Sequence, residues 1–199
     1  MNTTTLDEIT EKTERNINMG NAISLPKQLE HLVDSLHLSN GLTSVFIEVL
    51  AISGSLLART NREKELIIWL VQRDQAIVGS GTVDFDIDEM PWTIDSFESE
   101  KEFILRAISN AMNGLGWERL SYEPHRDWVI ECLEQFRQMI SAFDKEYVNL
   151  NNYLVWTEIE EDDDWPIIPK GYPKCEKHDV YLSCHGCILC NNRNYIERI

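Results

Sequence analysis

Positive charge is what this sequence lacks most: 18 lysines and arginines stand against 34 aspartates and glutamates in 199 residues, a formal charge of -16. Such a field repels phosphate backbones and anionic membrane surfaces, so nucleic acid and membranes are disfavoured as partners and a basic protein is favoured. A secretion signal is also lacking, because residues 1–8 are polar where export needs a basic and then an apolar stretch. No apolar run reaches the roughly 20 residues a bilayer demands. The longest, 45–58, is interrupted by Glu48, Ser53, Gly54 and Ser55 and reads as a buried helix. The five cysteines are an odd number, which argues against a disulfide framework. With no export signal, a reducing, cytoplasmic setting is expected.

Several motifs stop short of completion. Gly79-Ser80-Gly81-Thr82 lacks the lysine of a phosphate-binding loop and reads as a turn. Asp84, Asp86 and Asp88 open like a calcium loop, but Glu89 stands where that loop needs glycine and Asp95 where it prefers glutamate. Neither His178 nor His185 is followed by the x-Glu of zinc-dependent deaminases. Cys132, between Val129 and Phe136 on an apolar helix face, reads as a core thiol. Glu30, Asp34 and His37 would share a helical face, a geometry open to a metal or an acid/base pair but equally that of an ordinary polar side.

Apolar periodicity predicts a mainly α fold: a helical domain with a small β strand or hairpin near 76–88 and a C-terminal zinc-knuckle tail. Residues 1–24 are polar, with a weak capping box of Thr5 and Glu8. A helical core domain is expected over 25–157. Its helices are read from Leu25 through Leu29, Leu32, Val33 and Leu36; over 42–59; after a Thr60/Glu63 capping box toward Gly79; over 97–112; and over 125–143. Val83, Phe85 and Ile87 alternate with the three aspartates as a strand would, which puts the carboxylates on one face roughly 6.5–7 Å apart. Trp69, Trp92, Trp117 and Trp128 are the expected aromatic anchors, and 149–155 reads as a strand or turn. Residues 158–173 form an acidic and proline-bearing linker, with six acids among the seven residues 158–164. The tail follows at 174–199. Since residues 170–199 sum to +2 and the rest to -18, two electrically distinct modules are expected, and a chain ending near Asp164 should fold without the tail.

The tail carries the strongest chemical signal. Cys175 and His178 are separated by two residues, as are Cys187 and Cys190, so each pair can aim two ligands at one ion from a tight turn. Thiolate and imidazole suit zinc, and four protein ligands close its shell. Cys184 has the same spacing to Cys187 and stands as the alternate ligand for Cys175 or His178; His185 is a further spare. The paired tail resembles the knuckles of zinc ribbons, over about the last 25 residues. That resemblance implies a structural metal and no particular activity.

Three function classes follow. The favoured one is a non-enzymatic acidic protein of inhibitor, immunity or adaptor type that binds a basic partner. Its expected contacts are Asp84, Asp86 and Asp88 together with Glu160, Glu161, Asp162, Asp163 and Asp164, with Trp92 as an apolar anchor. The alternatives are a zinc-dependent nucleic-acid-binding protein using Lys174, Lys177 and Arg193, and a metal-dependent enzyme using an acidic cluster.

Overall fold

Ser39 opens the central helix: in extended conformation, its hydroxyl accepts from Leu42 N at 3.4 Å. In the computed structural model, described for residues 21–75, 81–82, 84–158 and 167–191, this helix α1 spans Asn40–Leu57. It is long and apolar enough to cross a membrane by length and composition alone, yet here it is the core helix, with Phe46, Ile47, Val49, Leu50 and Ile52 at most 2% exposed. Helix α2, Asn61–Val71, begins at the expected capping box, with Thr60 N donating to Glu63 Oε2 at 2.8 Å and Glu63 N to Thr60 Oγ1 at 3.2 Å. The two helices cross at Gly54, where a Cβ would fall 2.1 Å from Ile67 Cδ1. Only glycine lets them approach so closely.

Helices α3, Phe97–Met112, and α4, Arg126–Ala142, pack on each other and on α1. Buried Ser53 Oγ reaches across to Ala107 O at 2.7 Å. Glu100, 1% exposed on α3, accepts from Arg62 Nε at 2.8 Å, Thr93 N at 2.9 Å and Thr93 Oγ1 at 2.7 Å. This buried ion pair ties α2 to α3 with its remaining lone pairs satisfied, the condition under which a buried charge is tolerated.

Two small sheets sit at the margins of the bundle. Strand β1, Asn21–Ser24, pairs antiparallel with β2, Leu36–Leu38, and parallel with β5, Phe85–Asp86, in the order β2-β1-β5. Strands β3, Asp74–Gln75, and β4, Gly81–Thr82, form an antiparallel hairpin. The mainly helical fold with a small hairpin is therefore as the periodicity indicated. The Thr5/Glu8 capping box and the Gly79-Ser80 half of the glycine-bearing turn lie outside the described residues.

Several local readings need correction. No helix runs from Leu25: Leu29 N bonds Pro26 O at 2.7 Å and Leu32 N bonds Leu29 O at 2.9 Å, which are single turns, and Leu32 is 51% exposed. Leu36 and Leu38 instead face the core as alternate residues of a strand, because β1 offers them a backbone partner distant in sequence. Glu30, Asp34 and His37 consequently share no helical face, and all three are exposed. Helix α2 stops at Val71 rather than near Gly79, since the β3–β4 hairpin follows. The strand through the aspartates is only two residues long before a 3-10 turn, Ile87–Glu89, takes over. Residues 150–157 form helix α5, Leu150–Thr157, capped by Asn149, whose side chain accepts from Asn151 N at 3.1 Å. Trp128 is 59% exposed and stacks on His125 at 4.1 Å, whereas Trp69 and Trp92 are buried as anchors should be. Cys132 is buried, as its apolar neighbours implied.

Candidate metal centre

Residues 173–182 fold back on themselves. Cys175 N donates to Val180 O at 2.9 Å and Leu182 N to Pro173 O at 2.9 Å. Between those rungs the chain turns through Cys175-Glu176-Lys177-His178, closed by Asp179 N to Cys175 O at 2.8 Å. Asp179 takes the left-handed conformation at φ 52, which Asp tolerates better than most residues. A second turn joins Ser183 and Gly186 by reciprocal hydrogen bonds of 3.1 and 2.9 Å, with Gly186 at φ 85. It delivers Cys187 to the start of a helical turn, where Cys190 N and Asn191 N both bond Cys187 O, at 3.1 and 3.0 Å. Each turn thus brings two ligands to the same side.

Four atoms converge. His178 Nδ1 lies 3.6 Å from Cys175 Sγ, 3.5 Å from Cys187 Sγ and 3.4 Å from Cys190 Sγ, and the Cys175 and Cys190 sulfurs are 3.9 Å apart. All four ligand atoms fall within 4.8 Å of one another, and they could hold a metal ion. Among the described residues this is the only such group of His, Cys, Asp and Glu. His178 and Cys187 are buried, while Cys175 and Cys190 are half-buried. Cys184, the alternate ligand, is exposed and turns away, its sulfur 3.7 Å from Gln72 Nε2.

Electrostatics differ across the cluster. Burial works against ionisation of Cys175, but donation from the backbone N–H groups of His178 and Lys177 overcomes it and brings the thiol below its ordinary value. Burial pushes Cys187 up to about 12, a cost that a dication at the centre would reverse.

The tail packs against the helices. Val180, Tyr181, Ile188 and Leu189 belong to one buried cluster with the helices. Tyr181 N donates to Ser55 Oγ at 3.0 Å, and Lys174 Nζ to Ser55 O at 2.9 Å. Arg119 Nη1 donates to His178 O at 3.0 Å. Gln72 joins three segments, donating to Ile167 O at 2.7 Å while accepting from Trp156 Nε1 at 2.8 Å. Tyr172 OH donates to Glu65 Oε1 at 2.6 Å, next to the Arg62 network. Ser55, Gln72 and Arg119 were invisible to sequence reasoning, since nothing in their own neighbourhoods marks a docking role. Lys174 is also held 3.2 Å from Asp179, so it is committed within the fold.

The acidic residues do not form the expected row. Asp84 is exposed, and its Oδ1 accepts from Ala22 N at 3.1 Å, joining β1 to the segment before β5. Asp86 caps the 3-10 turn. Asp88 lies within that turn, half-buried, and burial raises its carboxyl above the usual range. Glu160, Glu161, Asp162, Asp163, Asp164 and Arg193 lie outside the described residues. Neither a family model, a curated protein nor a solved structure matches this chain.

Proposed function

We propose that this is a non-enzymatic, zinc-stabilised interaction protein that works in the cytoplasm and binds a basic protein partner through its acidic surface. The observation that carries the zinc is the spacing of the four ligand atoms. With Zn–S bonds of about 2.3 Å and Zn–N bonds of about 2.0–2.1 Å, tetrahedral angles require S···S edges of about 3.8 Å and S···N edges of about 3.5–3.6 Å. The Cys175–Cys190 edge is 3.9 Å and the three S···N edges are 3.4–3.6 Å, with all four atoms within 4.8 Å of one another. Four protein ligands leave no open position for water, which favours a structural over a hydrolytic metal. The interaction role rests on the charge of -16, which speeds encounter with a cationic surface and suppresses anionic competitors.

Elemental analysis of protein purified without added metal should return about one zinc per chain, released as the pH falls because ligation needs deprotonated thiols. Capture from lysate should then yield basic proteins, with association slowing as salt rises. Replacement of Asp84, Asp86 and Asp88 by asparagine should slow it further. Association indifferent both to salt and to the triple replacement would reduce the acidic surface to a solubilising coat.

A further inference from the structure

Trp92 cannot serve as an apolar anchor for a partner: it is 1% exposed, and its Nε1 donates to Ile87 O at 2.7 Å. Exposed apolar surface lies on helix α5 instead. Leu150, Leu154 and Val155 are 43%, 60% and 66% exposed, while Trp156 of the same helix is buried and fixed through Gln72. Leu150 and Leu154, one turn apart, lie on one helical side, and Val155 follows Leu154 on the exposed surface, so the three form a broad apolar stripe. Asn152 Nδ2 donates to Asp88 O at 2.7 Å, which seats α5 against the turn bearing Asp88 and Glu89. Exposed Asp144 and Glu146 precede the helix, and exposed Glu158 follows it.

Single exposed leucines are ordinary, but three together on one short helix, with acids before, beside and after them, are complementary to one kind of ligand. We propose that α5 is the docking face for a basic amphipathic segment of a partner protein. Its aliphatic side chains would cover Leu150, Leu154 and Val155, and its lysines and arginines would meet the acids around the helix. Helix-in-groove recognition of this type takes affinity from the apolar face and selectivity from the flanking charge. The inference rests on the reading of a basic partner and specifies how that partner is held.

Three fluorescent peptides of equal length test it against the full-length protein by anisotropy: a leucine/lysine amphipathic helix, a lysine-only peptide, and a leucine/glutamate helix of the same pattern. The leucine/lysine peptide is expected to bind at least about tenfold more tightly than the lysine-only peptide, and the leucine/glutamate peptide not to bind. Leu154→Gln with Val155→Gln, both at exposed sites, should leave thermal unfolding unchanged. The pair should erase the tenfold advantage without altering lysine-only binding. Should the two basic peptides bind alike to both proteins, the α5 face is overturned while the basic-partner reading stands. If neither basic peptide binds, both fall. Tight binding of the leucine/glutamate peptide would overturn the charge requirement. Self-association of the unsubstituted protein that the double replacement abolishes would show the stripe to be a contact between copies, and would likewise overturn the proposal.

Discussion

Helices α1 to α4 bury large aliphatic and aromatic side chains from every element, whereas residues 174–191 contain two backbone turns, two short bridges and a single helical turn. The first region is held by apolar area removed from water, worth about 25 cal/mol per Å2, and its elements carry their own caps. The second is too small for a core of its own, and small units of this kind depend on metal ligation or on borrowed contacts. Here four convergent ligands that could hold a metal stand on one side, and contacts borrowed from Ser55, Gln72 and Arg119 on the other. The contrast teaches that a metal module can be local in its chemistry while its place is fixed by a helix more than a hundred residues earlier.

Removing the metal should strain that contrast most. Cys187→Ser, or chelation, is expected to empty the site and to lower the stability of the whole chain by several kcal/mol, a fraction of the roughly 10–16 kcal/mol with which structural zinc sites bind. Cys184→Ser should keep the metal, because its sulfur faces Gln72. Elemental analysis with thermal unfolding checks both. An unchanged unfolding midpoint after metal loss would mean that core and tail do not share their stability.

Ser55→Ala probes the junction. It deprives the buried Tyr181 N–H of its acceptor and should cost about 1–3 kcal/mol in the metal-loaded protein. The cost should shrink once the metal is removed and the tail loosens, so a double cycle of Ser55→Ala against chelation measures the coupling. Equal costs in both states would show that the tail stays docked without its ion.

The smallest effect is expected wholly inside the core. Glu63→Gln weakens the cap of α2 and should cost about 1 kcal/mol near neutrality. Burial alone would raise the Glu63 carboxyl, but donation from Thr60 and Arg59 N–H, with the charge of Arg106, holds it below its ordinary value. Stability from a depressed carboxylate is present above the unfolded value, about 4.3, and is lost as the pH falls through the folded one. The difference between the unsubstituted protein and the Glu63→Gln variant should therefore fade in acid. Denaturant titrations across that range, with metal content held constant, would show it.

Where a property depends on residues near in sequence, the chain alone was sufficient. The Thr60/Glu63 cap, the helices around Phe103 and Phe136, and the pairing of Cys175 with His178 and of Cys187 with Cys190 follow from spacing, because turn and helix geometry fix which neighbours meet. Where the decisive partner is distant, local pattern misled. Leu29, Leu32, Val33 and Leu36 have helical spacing, but pairing with β1 selects turns and a strand. Trp128 has the look of a core residue on an amphipathic helix, yet it is 59% exposed and stacks on His125. The aspartates alternate like a strand until Asp86 caps a turn that Trp92 holds from five residues beyond Ile87. Only the tertiary structure decided that the tail docks on Ser55 and that Cys184 is left out of the cluster, since hydrogen bonds and apolar contacts across a hundred residues leave no periodic mark in a sequence.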